Sequence, residues 1–314
     1  MTKKLISIIC PVYNEQNNIS VFYERVQKTL SPLFDRYEFE FIFTNNRSTD
    51  NTFDIIRQLH QEDKRVQIIT FSRNFGYQAS VTAGLSYAQG DASVVIDVDC
   101  EDPPELIARF IDKWEEGYDI VYGIRRKRQE NIITQQARNL FYWLLNKMGD
   151  HEIIMNMAEF SLINKEVRQE ILSNKSTFPF LRTEISYAGF NRVGIDYIRQ
   201  ARRYGKTHYN FLEMAQFAVG GILSSSTFLL RLSAFLGVGL IPLNLLCLIL
   251  DLTNTLSKGF EILVTIDLMY LVFFIAMLSI YTARIYKNGV QRPIFIVDWK
   301  YSIFDKLPKK ESQL

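Results

Sequence analysis

Two long uncharged segments in the C-terminal third constrain this chain more than any other feature of its sequence. They cover residues 232–250 and 268–283, and neither contains a charged side chain. Because a helix rises about 1.5 Å per residue, helices of this length can cross a hydrocarbon layer of about 30 Å. Buried soluble helices are the alternative, but soluble helices of this length usually carry a polar stripe. We therefore predict transmembrane helices at about 228–250 and 262–284, which together form a hairpin over 228–285.

The charges flanking this hairpin predict its orientation. The connection 251–261 holds one Lys and two acids. Since Lys and Arg collect in short cytoplasmic loops, we expect residues 1–227 and the tail 286–314 on the cytoplasmic side of the membrane. Asp267 lies about five residues from the predicted outer end, and we expect it to reach headgroups or to cap the hairpin tip. The basic residues on the two outer flanks are Arg231, Arg284, Lys287 and Arg292.

Composition excludes several other classes of protein. The formal net charge is only +2, so there is no overall basic charge of the kind that nucleic-acid binding requires. Three Cys and three His are too few for a disulfide framework or a His-based metal centre. We therefore expect the protein to associate with a membrane and not with a nucleic acid. Exposed transmembrane hairpins often associate with one another, which is consistent with a homo-oligomer.

Residues 1–209 alternate short apolar runs with segments of helical periodicity. Such βαβα order indicates an α/β domain with a mostly parallel, Rossmann-like sheet and helices on both faces. Ligands of these sheets bind beyond the carboxyl ends of the strands. Residues 210–227 have amphipathic spacing and predict a juxtamembrane helix on the interface, with an ordinary packing helix as the alternative. The predicted strands are 5–10, 37–44, 66–72 and 92–99, and the turns that follow them are 11–15, 45–47, 72–74 and 97–102.

Two carboxylates end the fourth predicted strand. Asp97 and Asp99 stand two residues apart and can project into one site, where they repel each other unless a cation lies between them. Hard oxygen ligands suit Mg²⁺ or Mn²⁺, and such an ion usually shares the phosphate oxygens of a substrate. The pair thus points to a nucleoside diphosphate. A solvated acidic turn that caps the next helix is an alternative that these residues alone leave open.

The strand-end turns also carry motifs that resemble those of the family-2 (GT-A) glycosyltransferases in order and spacing. The later motifs, together with the two C-terminal spans, are similar to the polyprenyl-phosphate glycosyltransferase group, which includes dolichol-phosphate mannose synthase and bactoprenol glucosyltransferase. The resemblance implies a GT-A fold for the catalytic domain, residues 1–209. The motifs are Val12–Glu15, Ser48–Thr52, Ser72–Gly76, Asp97–Asp99, Pro103–Glu105, Phe178–Arg182, Gly189–Phe190 and Tyr197–Arg202.

The resemblance implies roles for individual residues as well. The chain departs from the usual family pattern at several of them: Asn45-Asn46 replace Asp-Asp, Glu101 replaces Gln and Glu159 replaces Asp. These departures bear on the identity of the nucleotide and the sugar more than on the reaction class. The implied sets are Pro11, Tyr13, Glu15, Asn45, Arg73 and Asp97 for the nucleotide, Asp97, Asp99 and Glu101 for the metal, and Asp99, Glu159 and Arg202 for catalysis.

The implied activity is a metal-dependent, inverting transfer of a sugar from a nucleotide sugar, with a UDP-sugar favoured, to polyprenyl (undecaprenyl) phosphate. The product would be a lipid-phosphate-linked monosaccharide for cell-envelope glycan, lipopolysaccharide or teichoic-acid modification. This assigns the chain to the bacterial inner (cytoplasmic) membrane. Two alternatives stay open: a glycosyltransferase with another membrane acceptor such as a glycolipid, and a non-catalytic nucleotide-sugar-binding membrane protein.

Overall fold

The computed structural model describes residues 3–126, 136, 154, 157–174, 180–200, 227–253 and 259–304. Three predicted features of the chain lie outside these residues. They are the proposed catalytic Arg202, the predicted amphipathic helix 210–227 except for Thr227, and the tail beyond residue 304.

A seven-stranded sheet forms the centre of the N-terminal domain. Neighbouring strands are parallel except around β6, which runs antiparallel to both β4 and β5. This confirms the expected α/β architecture of the GT-A type, with one reversed strand that the sequence pattern did not reveal. In spatial order the strands are β3 (Val66–Thr70), β2 (Tyr37–Asn45), β1 (Lys4–Val12), β4 (Ala92–Val95), β6 (Met157–Asn164), β5 (Ile120–Arg126) and β7 (Arg192–Ile198).

Helices cover both faces of this sheet because side chains alternate between the faces along each strand. In β1, Ile8 points into the core cluster that includes Phe22 and Phe110, whereas Ile9 points into the opposite cluster with Val81. Helices α1, α2 and α4 contribute to the first core and α3, α5 and α6 to the second. The helices are α1 (Ile19–Leu30), α2 (Thr52–Glu62), α3 (Tyr77–Tyr87), α4 (Leu106–Glu115), α5 (Lys165–Ser173) and α6 (Leu181–Ala188).

Strand β1 continues through Pro11, where the sequence predicted its end. Its partner β4 pairs with it only as far as Ile9, whereas β2 stays paired to Val12. Val12 accepts a hydrogen bond from the N–H of Asn46, the residue after β2, so the nitrogen of Pro11 faces the side on which β4 has already ended. The missing N–H therefore removes no ladder hydrogen bond, which makes proline acceptable at this position.

Gly84 allows α3 to pack closely on β1. A Cβ atom at this position would lie 2.2 Å from Cγ2 of Ile9, which is fully buried. We expect Gly84→Ala to lower the free energy of unfolding by about 1–3 kcal/mol, because overpacking outweighs the better helix propensity of alanine. Thermal unfolding in detergent measures this effect. Gly239→Ala is the matched control, since a Cβ there meets no described atom within 4 Å. Equal melting temperatures for the two variants would contradict the prediction.

The two apolar segments form helices α7 (Phe228–Leu252) and α8 (Gly259–Val290), each long and apolar enough to cross a membrane. The helices pack against each other: the Tyr270 hydroxyl donates to the Ser233 carbonyl at 3.0 Å. The Asn244 amide donates to both carboxylate oxygens of Asp267, at 3.1 and 3.0 Å. We expected Asp267 to reach headgroups or cap the tip, but the structure gives it a partner on the other helix. A carboxylate in an apolar layer requires such a partner.

Residues 295–304, which we name the post-hairpin segment, pack against the outer edge of β3. Two antiparallel bridges join them to the sheet, Ile68 to Ile303 and Phe71 to Val297. Edge strands expose unpaired backbone groups, and this segment satisfies those of β3. The sequence predicted a tail here, and the structure places residues 295–304 against the sheet of the N-terminal domain.

Candidate active site

The turns after β1, β2 and β3 are joined by hydrogen bonds between side chains and backbone. The backbone N–H of Asn14 donates to Ser48 Oγ at 3.0 Å, and its side-chain oxygen accepts from the N–H of Thr49 at 2.8 Å. The Asn46 amide donates to Asn74 Oδ1 at 2.8 Å, and its oxygen accepts from the N–H of Phe75 at the same distance. The turns that follow three of the four predicted strands therefore meet at one edge of the sheet.

The residues predicted to bind the nucleotide all lie at this edge of the sheet. Tyr13 and Glu15 are half-buried in the turn after β1, and the Arg73 guanidinium lies 4.0 Å over the ring of Phe75. Asn45 is only 1% exposed, and its oxygen accepts from the N–H of Ser48 at 3.0 Å. In this geometry Asn45 shapes the turn, and a direct contact with the base stays a prediction.

Asp97 and Asp99 were predicted to end the fourth strand. They lie instead in the turn that follows β4, since that strand ends at Val95. The Tyr77 hydroxyl donates to Asp97 Oδ1 at 2.8 Å, and the N–H of Glu101 donates to Asp99 Oδ1 at 3.0 Å. Burial, followed by the negative charges of Asp99 and Asp102, raises the pKa of Asp97 to about 7. The turn thus concentrates negative charge in a site where a bound cation would relieve the repulsion.

The other two carboxylates of this turn are held by cations within the protein. Asp102 is 1% exposed and accepts from Arg125 Nη2 at 2.9 Å and from the Tyr197 hydroxyl at 2.5 Å. Burial and the Asp102 charge raise the pKa of Tyr197, so its hydroxyl stays a donor. Glu101 forms an ion pair with Arg199. Sequence reasoning assigned no role to Arg125, which lies on β5, although the basic run that begins there was a usable signal.

The carboxylates of this turn supply only part of the coordination shell of a divalent cation. Among the described residues, no three His, Cys, Asp or Glu side chains are placed to hold a metal ion together. Asp97 and Asp99 remain as the carboxylate pair, with Glu101 beside them but engaged by Arg199. Mg²⁺ in proteins commonly binds one or two carboxylates and completes its shell with substrate phosphates and water. The site therefore fits a cation that arrives with a nucleoside diphosphate.

Glu159, on β6, lies beside this turn. It is 6% exposed, and its Oε1 is 2.9 Å from Arg182 Nε and 3.5 Å from the amide nitrogen of Gln78. The pKa of the Tyr77 hydroxyl is raised by burial first, then by the charge of Asp97 and then by the charge of Glu159. Asp97 and Glu159 therefore share one electrostatic environment. Glu159 Oε2 has no hydrogen-bond partner among the described residues, and the contact of Arg182 Nε with Oε1 is an ion pair without the angle of a hydrogen bond. The sequence singled out Glu159 but not its partner Arg182, which lay within one of the quoted motifs.

Comparisons with known proteins show the family to which this chain is similar. Residues 7–172 match the family model described as glycosyl transferase family 2. The uncharacterized glycosyltransferase YkcC of Bacillus subtilis is 36% identical over 309 residues, which cover 96% of this chain and 95% of that protein. The bactoprenol glucosyl transferase of Shigella phage SfV is 33% identical over 303 residues, 93% of this chain and 97% of that protein. Mannosyl-3-phosphoglycerate synthase from Rubrobacter xylanophilus, a solved structure, is 15% identical, with a TM-score of 0.47 over 70% of this chain and 73% of that one.

Proposed function

The chain belongs to glycosyl transferase family 2, and from this premise we propose that it transfers a sugar from a nucleotide sugar to a polyprenyl phosphate at the cytoplasmic membrane surface. One observation carries the proposal: the acidic turn of Asp97 and Asp99 lies at the ligand-binding edge of a sheet in a chain that also has two helices long enough to cross a membrane. The name of the bactoprenol glucosyl transferase relatives supports a lipid carrier as the acceptor. We assign undecaprenyl phosphate as the acceptor and a UDP-sugar as the donor.

A polyprenyl phosphate needs orientation more than activation. Its phosphate is already an anion at neutral pH, since the second pKa of a phosphate monoester is about 6. The ion pair of Glu159 with Arg182 fits a positioning role for Glu159, because the carboxylate holds the guanidinium 2.9 Å away. We propose that Arg202, outside the described residues, neutralises the diphosphate or the lipid phosphate. A single direct displacement inverts the anomeric carbon.

Asp97 and Asp99 are the residues that we propose to hold Mg²⁺ or Mn²⁺, with Glu101 as a third ligand. When bound, the cation would offset the charge that develops on the leaving diphosphate. Glu101 reaches the cation in this proposal only by giving up its ion pair with Arg199. Arg199, whose Nε also lies 3.7 Å from Asp102, then has its other donors available to the substrate phosphates.

Protons should compete with the cation at this site. The pKa of Asp97 is raised to about 7, so without a cation this carboxylate takes up a proton as the pH falls through 7. Cation binding needs the ionised form. We expect the apparent affinity for Mn²⁺, measured calorimetrically in the presence of UDP, to weaken as the pH is lowered from about 8 to about 6. An affinity for Mn²⁺ that does not change with pH and equals the affinity of the Asp97→Asn variant would contradict the assignment of Asp97 as a cation ligand.

The direct test supplies detergent-purified protein with undecaprenyl phosphate, Mg²⁺ or Mn²⁺, and a panel of UDP-, GDP- and TDP-sugars, and identifies lipid products by mass. We expect one product, heavier than the acceptor by one sugar residue and lost on addition of EDTA. A product found only with membrane lipid extracts would replace polyprenyl phosphate by another acceptor, such as a glycolipid. Nucleotide binding without any product would favour the non-catalytic alternative.

A further inference from the structure

The post-hairpin segment does more than cover an apolar surface. It runs along β3 through four hydrogen bonds between backbone groups: Ile68 and Ile303 exchange a pair, each 2.8 Å, Asp298 donates to Thr70 and Ser72 donates to Ile296. Phe295 stacks on Phe71 with ring centroids 5.5 Å apart. The first residues of the segment therefore lie beside the turns that follow β2 and β3. These turns form the proposed nucleotide half of the site.

Arg47 is the residue through which this segment reaches the donor turns. Its guanidinium pairs with Asp298 at 3.0 Å and lies over the ring of Tyr301, 5.1 Å from the centroid. Arg47 belongs to the turn after β2, between Asn46, which binds the turn after β3, and Ser48, which binds the turn after β1. Fixing Arg47 therefore fixes a turn that is joined to both of its neighbours.

The backbone at Arg47 indicates that its side chain is needed. Its φ is 62°, in the left-handed region where glycine is favoured and most other residues are strained. The ion pair with Asp298 is partly exposed, and pairs of this kind contribute little to folding. An arginine that strains the backbone and adds little stability is better explained by what its side chain positions.

The connection to the membrane hairpin is short. Helix α8 ends at Val290 and the post-hairpin segment begins at Phe295. Five Cα–Cα steps reach at most about 18 Å. The end of α8 must therefore lie close to the edge of β3. This short connection keeps the nucleotide half of the site near the hairpin.

We propose that Arg47 and Asp298 are positioning residues for the nucleotide sugar, through which the post-hairpin segment holds the donor turn in its binding geometry beside the membrane. This inference rests on the proposed function for the identity of the ligand. It assigns a role in donor recognition to Asp298, which lies beyond the hairpin and 251 positions away in sequence from Arg47.

The test measures binding of UDP and GDP, each with Mn²⁺, to the full-length protein by calorimetry. Arg47→Gly removes the side chain and relieves the left-handed backbone, so loss of folding is not expected. Asp298→Asn removes the charge but keeps an oxygen that can accept from the N–H of Lys300, as Asp298 does. Glu116→Gln is the control, since it breaks a similar exposed ion pair with Lys113 on α4.

We expect each of the two variants to weaken UDP binding about three- to fivefold, with the double variant no weaker than either, because both remove the same interaction. Arg47→Lys should recover part of the loss. In turnover assays the KM for the nucleotide sugar should rise in the same proportion, with kcat and the KM for the lipid within about twofold of wild type.

Unchanged UDP affinity in both variants would overturn the proposal, as would strictly additive losses or an Arg47→Lys variant that binds as weakly as Arg47→Gly. Wild-type protein that binds UDP without transferring sugar would refute the proposed function, while the binding comparison would still decide the role of Arg47. Wild-type protein that binds neither nucleotide would refute both. Hydrogen exchange at Ile303 reports independently whether the segment stays docked in each variant.

Discussion

Replacing Asp99 by Asn should lower the rate of sugar transfer about a thousandfold or more, to the background of the assay. Asp99 is 5% exposed and lies with Asp97 in the turn that carries both carboxylates of the proposed cation site. The loss follows from charge, because an amide binds a divalent cation weakly and leaves the departing diphosphate without its counter-charge. Mass detection of the lipid product measures the effect.

The same substitution should leave the fold intact. An Asn side chain keeps the oxygen that accepts from the N–H of Glu101, so the turn retains its hydrogen bond. The Asp99 charge is one of the causes that raise the pKa of Asp97, so its removal relieves repulsion in the cation-free protein. We expect a melting temperature equal to or above that of wild type when no divalent cation is present. A clearly lower melting temperature would assign the lost activity to unfolding.

Replacing Glu159 by Gln should lower kcat about ten- to a hundredfold but leave turnover measurable, in contrast to Asp99→Asn. The lipid phosphate is already an anion, so no proton has to be removed before attack. What the Glu159→Gln variant loses is the charge that holds the guanidinium of Arg182, 2.9 Å away. Because Gln has nearly the same shape, packing against Gln78 is retained. The measurement compares initial rates at saturating donor and acceptor.

Arg182→Gln separates positioning from base catalysis. If Glu159 acts by holding Arg182, the two single variants should lose similar activity and the double variant should lose no more than either. The pH–rate profile of Glu159→Gln should then keep the shape of the wild-type profile. Complete loss of turnover in Glu159→Gln, matching Asp99→Asn, would refute the view that base catalysis is dispensable.

The strand-end turns show how much of the site could be predicted. Asp97, Asp99 and the turn of Asn45 follow apolar runs, and parallel strands bring their carboxyl ends to one edge, so local pattern and sheet physics were sufficient. Glu159 was reached only through the family resemblance. Its strand β6 runs antiparallel between β4 and β5, a pairing that no local periodicity reveals.

Long-range partners were beyond any local pattern. Asp267 was recognised as a charged residue at a predicted span, but its pairing with Asn244 depends on how α7 packs against α8. Arg125 and Asp102 meet because β5 and the turn after β4 are brought together by the sheet. Asp298 was assigned to a tail, since nothing near it in sequence indicates that it meets Arg47.

The sequence by itself determined the class of fold, the two helices long enough to cross a membrane and the acidic turn at the sheet edge. Each of these depends on residues within about twenty positions of one another, where periodicity and turn chemistry act. Only the tertiary structure decided which charges are neutralised within the protein, which strand is reversed and where the post-hairpin segment binds. Those outcomes depend on contacts between residues far apart in the chain, whose free energy is fixed by burial and pairing in the folded state.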